Sequence, residues 1–144
     1  MYINKITSLF ITTQLFNQLV DSDIEIFANV QNVLTGGEAV SVKHINKLNL
    51  HNENINIIHN YGPTENTTFS TCYDVKKIKF FNTVPIGGPI SNSTAYIVSN
   101  SNLLCPIGVP GELWVGGDGV AKGYLNNEDL TKEIANILGV EVMP

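Results

Sequence analysis

The stretch NINIIHNYGPTENTTFS, residues 54–70, changes character abruptly at its middle. Its first part is short, apolar and β-branched, which is typical of a buried strand. The part that follows contains a tyrosine, a glycine, a proline, a threonine and a glutamate in a row, from Tyr61 to Glu65. Gly and Pro together mark a turn. The pattern therefore predicts a strand that ends near His59 and a loop at its carboxyl end.

The residues before this stretch have the pattern of an α/β fold. Residues 6–12 suit an extended segment, and QLFNQLV at 14–20 repeats apolar side chains at helical spacing. Residues 35–37, Thr-Gly-Gly, indicate a turn, after which Ser41 is placed to cap a second helix. We expect a β–turn–α–β series that builds a largely parallel, buried sheet flanked by helices.

The second half of the chain is rich in glycine and proline. The runs TAYIVS at 94–99 and GELWVGG at 111–117 predict small antiparallel strands joined by tight turns, and apolar residues from 130 to 138 have helical spacing. We divide the chain into an α/β part at 1–83, an antiparallel β-rich part at 84–126, and a divergent helix and tail at 127–144.

Composition excludes several classes of function. A net charge of -5 and a pI near 5.0 argue against a nucleic-acid surface, and the one basic cluster, Lys76, Lys77 and Lys79, is interpreted as a solvated loop or strand edge. No signal peptide and no apolar run of about 20 residues is visible, so we expect no membrane contact and a cytoplasmic location. Cys72 and Cys105 lack the spacing of a zinc site or a disulfide framework.

The loop after the predicted strand is the first candidate for a ligand site, because open α/β sheets bind ligands at the carboxyl ends of their strands. The Tyr61 ring offers a flat face for a base, the Thr64 hydroxyl and backbone N–H groups suit a phosphate, and the Glu65 carboxylate suits Mg²⁺. On these residues alone, a purely structural Tyr-Gly-Pro turn is the alternative.

The residues YGPTE at 61–65 resemble the core motif of adenylate-forming enzymes, and in particular of the amino-acid adenylation domains of non-ribosomal peptide synthetases. LTGGEAVS at 34–41, VPIGGPISNSTAYIV at 84–98 and GELWVGGDGVAKGYLN at 111–126 resemble further segments of that family in the same order. The resemblance covers about residues 6–133. It implies a fragment of the N-terminal subdomain, in which part of a βα sheet layer is followed by a small antiparallel β-barrel-like region.

The resemblance also implies a reaction. Enzymes of this family join an amino-acid carboxylate to ATP with loss of pyrophosphate, and then pass the acyl group from AMP to the phosphopantetheine thiol of a peptidyl carrier protein. By resemblance Tyr61 stacks on adenine, Thr64 contacts the α-phosphate and Glu65 binds Mg²⁺, so Thr64 and Glu65 are the catalytic candidates. The implied nucleotide-binding set is His59, Asn60, Tyr61, Gly62 and Thr64.

His59 departs from the family, which usually has an asparagine at that position. Two interpretations stay open: His59 lies near the adenine, or it simply ends a buried strand. The implied amino-acid pocket is lined by Thr13, Leu34, Gly36, Asn60, Thr68 and Phe69, and its substrate is not identified. In the Gly-rich segment at 111–126 we expect structural turns, since it lacks the order of a phosphate-binding loop.

Three motifs of the family do not occur in the sequence: an upstream phosphate loop, a Tyr-x-Thr-Gly-Asp segment and a C-terminal lysine. After LTKE at 130–133 the pattern also departs from the family, as a truncation, a frameshift or a distinct local ending would produce. We therefore expect a fragment that is inactive in isolation and belongs with the remainder of a peptide synthetase. The alternatives are a non-catalytic docking fragment, a relic reading frame without activity, and a fragment of an acyl-CoA-ligase-like enzyme.

Overall fold

The computed structural model describes residues 5–75 and 82–138, with side chains up to residue 133. The lysine cluster at 76–79 and the tail after residue 138 lie outside the described residues. The chain forms two compact units, one of Met1–Tyr61 with Cys72–Gly87 and one of Gly62–Thr71 with Gly88–Pro144. The division of the chain at residues 83 and 126 stays a prediction.

The first unit is an α/β layer. Strands β1, β2 and β3 are parallel neighbours, β4 follows β3 in the sheet, and helices α1 and α2 lie between successive parallel strands in the chain. This confirms the predicted parallel series. The elements are β1 (Ser8–Thr12), α1 (Thr13–Ser22), a 3-10 turn (Ile24–Phe27), β2 (Asn32–Gly36), α2 (Val42–His51), β3 (Asn56–Tyr61) and β4 (Thr71–Asp74).

The core of this unit forms where apolar stripes of the helices meet the sheet. Phe16 and Val20 of α1 and Ile45 and Leu48 of α2 are all buried, at the i, i+4 and i, i+3 spacings of a helix face. The ring of Phe16 meets that of Phe27 edge to face, with centroids 6.2 Å apart. Among the residues that the structure describes, the buried cluster comprises Phe16, Val20, Phe27, Val30, Val33, Val40, Ile45, Leu48, Ile55, Ile57 and Val75.

Side chains tie the amino ends of the three parallel strands together. Ser8, Asn32 and Asn56 are register partners. The Asn32 amide donates to the Ser8 hydroxyl at 2.9 Å, and the Asn56 amide donates to the Asn32 side-chain oxygen at 3.0 Å. A shift of one residue would break both bonds and turn the buried side chains to the opposite face.

Two sequence expectations need correction at the strand ends. Thr35 and Gly36 belong to β2, and the chain turns at Gly37, whose φ is +91°. Strand β3 extends to Tyr61, two residues beyond the predicted end at His59. Ser41 does occupy the position before α2, but its side chain makes no capping hydrogen bond.

The second unit is built from short elements. Strands β6 and β7 pair antiparallel, from Ser93 opposite Gly117 to Val98 opposite Glu112, which confirms the two predicted antiparallel strands. The predicted C-terminal helix is also present. The elements are a 3-10 turn (Thr64–Asn66), β5 (Gly88–Pro89), β6 (Ser93–Val98), β7 (Glu112–Gly117) and α3 (Glu128–Leu138). Within the described part of the chain, every helix is too short or too polar to cross a membrane.

A charged cluster on the surface of the first unit joins α1 to α2. The Asp21 carboxylate lies 2.8 Å from the Lys47 ammonium and 3.0 Å from the His44 ring nitrogen Nε2. The hydrogen bond from Lys47, followed by that from His44, lowers the pKa of Asp21 from 3.8 to about 2.

This cluster predicts a pH-dependent contribution to stability. A lowered pKa means that the stabilisation is complete above about pH 4, decreases as the pH falls, and is lost below about pH 2. We expect Asp21→Asn to lower the free energy of unfolding modestly at pH 7 and by progressively less as the pH falls from about 4 to about 2, as measured by urea unfolding across that range. An equal loss at both ends of the range would contradict the ion-pair origin.

Candidate functional site

The carboxyl ends of the parallel strands bring three of the pocket candidates together. Gly36 of β2 is the register partner of Asn60 of β3. Thr13 directly follows β1, and its hydroxyl lies 3.2 Å from the carbonyl oxygen of Gly36 and 3.1 Å from that of Glu38. Thr13, Gly36 and Asn60 therefore meet at one edge of the sheet, as expected for a ligand site of an α/β fold. Leu34 lies two residues earlier in β2 and is half-buried.

Gly36 is required at this edge by a close backbone approach. A Cβ atom built on Gly36 would lie 2.2 Å from the carbonyl oxygen of Asn60, far inside van der Waals contact. This oxygen belongs to the backbone and not to a flexible side chain, so the strands would have to separate. The absence of a side chain at Gly36 is thus a condition for the geometry of the edge.

The side chains of His59 and Asn60 are buried and already hydrogen-bonded within the first unit. His59 is 4% exposed, and its ring Nδ1 lies 2.9 Å from the carbonyl oxygen of Pro85. Asn60 is 3% exposed, and its amide donates to the carbonyl oxygen of Ile58 at 3.0 Å. Tyr61 is different, because 39% of it is exposed. Of these three residues, Tyr61 has the side chain most accessible to a ligand.

The second unit contains the rest of the motif, in a loop that folds tightly on itself. A Cβ on Gly62 would lie 2.7 Å from backbone atoms of Thr68, Phe69 and Ser70, so only glycine fits there. The buried Asn66 fastens the same loop, since its amide donates to the Ser70 hydroxyl at 2.7 Å. Thr64 and Thr68 remain exposed and Phe69 is half-buried.

Glu65 is held at both its backbone and its side chain. Its carbonyl oxygen accepts a hydrogen bond of 2.7 Å from the Ala121 N–H, and its carboxylate accepts one from the Tyr124 hydroxyl. The bond from Tyr124, assisted by a backbone N–H, lowers the pKa of Glu65, while the same bond raises the pKa of Tyr124. At neutral pH the group at residue 65 is therefore a carboxylate.

Sequence reasoning missed Tyr124. The segment that contains it, GVAKGYLN, has glycines that lack the order of a phosphate-binding loop, and this pattern predicts structural turns only. The available signal was the tyrosine itself, a long side chain with a polar end that follows a turn. Its partner at residue 65 is distant in sequence, and spacing alone gives no indication of the pair.

The chemistry of the loop fits a cation that is shared with a phosphate. Across residues 5–75 and 82–138, no three His, Cys, Asp or Glu side chains are grouped as a metal site. Mg²⁺ is usually bound by one or two carboxylates together with substrate phosphates, and does not need a cage of protein ligands. A single ionised and partly exposed carboxylate at Glu65 meets that requirement. The roles assigned to individual site residues stay predictions.

Comparison with known protein families assigns the chain to one of them. The profile of the family described as AMP-binding enzyme matches residues 2–125. The chain belongs to this family of AMP-binding enzymes, as the resemblance of its motifs predicted.

Within this family the chain is similar to peptide synthetases. It is 52% identical over 130 residues to tyrocidine synthase 3 of Brevibacillus parabrevis, an alignment that covers 90% of the chain and 2% of that relative. It is 50% identical over 130 residues to gramicidin S synthase 2 of Brevibacillus brevis, an alignment that covers 90% of the chain and 3% of that relative. The chain thus spans only a small part of the length of these curated relatives.

Solved structures agree with this assignment. The structure of holo-PA1221, described as an NRPS protein containing adenylation and PCP domains, matches with a TM-score of 0.83 and 32% identity over 88% of the chain and 22% of that protein. The N-terminal subdomain of Klebsiella oxytoca NpsA, solved with 3-hydroxyanthranilyl-AMSN, matches with a TM-score of 0.78 and 27% identity. This match covers 92% of the chain and 32% of that protein. The chain is therefore a fragment of a non-ribosomal peptide synthetase adenylation domain, with the fold of its N-terminal subdomain.

The close approach at Gly36 gives a direct test of the strand edge. We expect Gly36→Ala to destabilise the chain by about 1–3 kcal/mol, the usual cost of overpacking, in urea unfolding. The matched control is Gly88→Ala, where an added Cβ has nothing within 4 Å and should change stability by less than about 0.5 kcal/mol. Equal stabilities of the two variants would contradict the close approach.

Proposed function

We propose that this chain provides one side of the nucleotide and amino-acid sites of an amino-acid-activating domain. The proposed reaction joins an amino acid to ATP, giving aminoacyl-AMP and pyrophosphate, and then transfers the aminoacyl group to a phosphopantetheine thiol. The observation that carries the proposal is the ionised Glu65 carboxylate, which is fixed on a tight loop beside the exposed Thr64. Membership of the AMP-binding family supports the use of ATP.

The adenine end of the nucleotide is assigned to the end of β3. The exposed part of the Tyr61 ring offers a face for stacking on a base. Because the side chains of His59 and Asn60 are already bonded to Pro85 and Ile58, we assign base recognition at those two positions to backbone groups. Gly62 contributes by keeping the loop compact.

The phosphate end is assigned to Thr64 and Glu65. When the amino-acid carboxylate attacks the α-phosphorus, negative charge builds up on the phosphate oxygens, and fixed donors are most effective there. The Thr64 hydroxyl is exposed and can donate to such an oxygen. A Mg²⁺ ion bound at Glu65 would supply Lewis-acid neutralisation of the same charge. Glu65 needs no proton transfer for this role, since it is already ionised.

The roles of the amino-acid pocket residues that the resemblance implies are assigned for each unit separately. At the edge, the Thr13 hydroxyl is bonded to backbone oxygens and the Asn60 amide to Ile58, so these two side chains shape the wall of the pocket. Gly36 permits the close backbone approach beside them, and Leu34 adds apolar surface. From the loop, Thr68 is exposed and Phe69 is half-buried, and we assign direct contacts with the substrate to these two residues.

A carrier protein and further synthetase segments complete the proposal. A structural relative contains both adenylation and PCP domains, which supports a peptidyl carrier protein as the partner that receives the aminoacyl group. We also propose that β5, β6 and β7 form part of the barrel-like region implied by the family resemblance. The proposed location is the cytoplasm, where thiols stay reduced.

The first test is the size of the polypeptide that carries this sequence in the source cell. An antibody against residues 59–70 would show whether the sequence occurs at 15.7 kDa or within a much larger polypeptide. A larger species would support a working synthetase and provide the protein for the activity test. A species of 15.7 kDa would favour a docking fragment or a relic product.

The activity test is amino-acid-dependent exchange of pyrophosphate into ATP. We expect exchange by the full polypeptide that carries this sequence and none by the isolated chain, which lacks most of the charge-stabilising groups of the family. Glu65→Ala should lower the exchange rate by about 100-fold or more, because it removes the fixed anion that binds the metal. Glu53→Ala, at an exposed glutamate between α2 and β3, is the matched control. Full exchange by the Glu65 variant would contradict the proposal.

A further inference from the structure

The segment at 119–124 holds the Glu65 loop at three points. The Ala121 N–H donates to the Glu65 carbonyl oxygen at 2.7 Å, and the Thr67 hydroxyl donates to the carbonyl oxygen of Gly119 at 2.6 Å. The third contact is the bond from the Tyr124 hydroxyl to the Glu65 carboxylate. The first two contacts fix the path of the loop, and only the third acts on the side chain that the proposed reaction uses.

Tyr124 is itself anchored to the start of α3. Its N–H donates to the Thr131 hydroxyl oxygen at 2.9 Å, and that hydroxyl donates to the carbonyl oxygen of Asn127, also at 2.9 Å. The preceding residue, Gly123, has a φ of +141°, and a Cβ there would lie 2.6 Å from the Thr131 methyl carbon. Glycine at 123 thus permits the close approach that fixes the backbone of Tyr124.

We propose that Tyr124 is a positioning residue that orients the Glu65 carboxylate for a divalent cation. The inference rests on the proposed function of Glu65. A glutamate side chain has three rotatable bonds, and holding it in place before the cation binds removes an entropic cost from binding. A carboxylate has about four acceptor sites, so one hydroxyl donor leaves capacity for a cation.

The magnitude of the effect follows from other metal sites. Groups that hydrogen-bond a metal-ligating carboxylate orient it, and their removal costs about 10- to 100-fold in metal affinity or activity. Tyr124→Phe removes the hydroxyl and keeps the ring, so it tests the hydrogen bond with little change in packing. Tyr96→Phe is the matched control, because Tyr96 lies on β6 and is half-exposed.

The first measurement needs neither bound metal nor enzyme activity. In the isolated chain labelled with ¹³C-glutamate, the carboxyl signal of Glu65 is identified by its absence in Glu65→Gln. We expect Tyr124→Phe to shift this signal at neutral pH and Tyr96→Phe to leave it in place, with both variants keeping the dispersed amide spectrum of the folded chain. An unmoved signal in Tyr124→Phe would overturn the inference, because no hydrogen bond would then be present.

The second measurement is the Mg²⁺ dependence of pyrophosphate exchange in the full polypeptide. We expect Tyr124→Phe to raise the Mg²⁺ concentration for half-maximal exchange by about 10-fold or more, and saturating Mg²⁺ to restore most of the rate. A purely structural role would lower the maximal rate without rescue by Mg²⁺, and that result would overturn the inference.

Failure of the inference and failure of the proposed function give different results. If Glu65→Gln abolishes exchange and Tyr124→Phe has the Mg²⁺ dependence of Tyr96→Phe, Glu65 keeps its role and the positioning role of Tyr124 is wrong. If Glu65→Gln retains full exchange, the proposed function of Glu65 is wrong and the inference about Tyr124 falls with it.

Discussion

The parallel register of β1, β2 and β3 is the constraint on which the first unit depends. It places the carboxyl ends of three strands side by side, and it is possible only because Gly36 has no side chain where Asn60 passes. At the opposite end, the bonds from Asn56 to Asn32 and from Asn32 to Ser8 hold the same alignment. One register thus determines both the packing of the core and the place where Thr13, Gly36 and Asn60 meet.

In the second unit, hydrogen bonds between distant segments have the corresponding role. A turn of three residues, Thr64–Asn66, has little stability of its own, because so few residues cannot offset the entropy of ordering them. The bonds that this loop makes to Gly119, Ala121 and Tyr124 supply that stability. The buried Asn66 contributes from within the loop. Glu65 is therefore ordered by a part of the sequence that carries none of the predicted catalytic residues.

Sequence patterns predicted the elements better than their ends. The spacing of Phe16 and Val20 and of Ile45 and Leu48 predicted two helices, because a helix face repeats with the period that both pairs follow. Strand β3 starts later than its apolar run, since Asn52 forms a turn in which its side chain accepts a hydrogen bond from the N–H of Asn54. The residue type of Gly36 predicted a turn, whereas its neighbour across the sheet requires glycine within a strand.

By itself, the sequence determined the α/β class, the alternation of strands and helices in the first unit, the antiparallel pair of the second and the family, because hydrophobic periodicity and short motifs are local properties of the chain. It also identified the loop that carries Thr64 and Glu65. Only the tertiary structure decided which of the candidate side chains are accessible: it buries His59 against Pro85, leaves Tyr61 partly exposed and joins Glu65 to Tyr124. The physical reason is that burial and hydrogen bonding depend on partners far away in the sequence, which a local pattern does not specify.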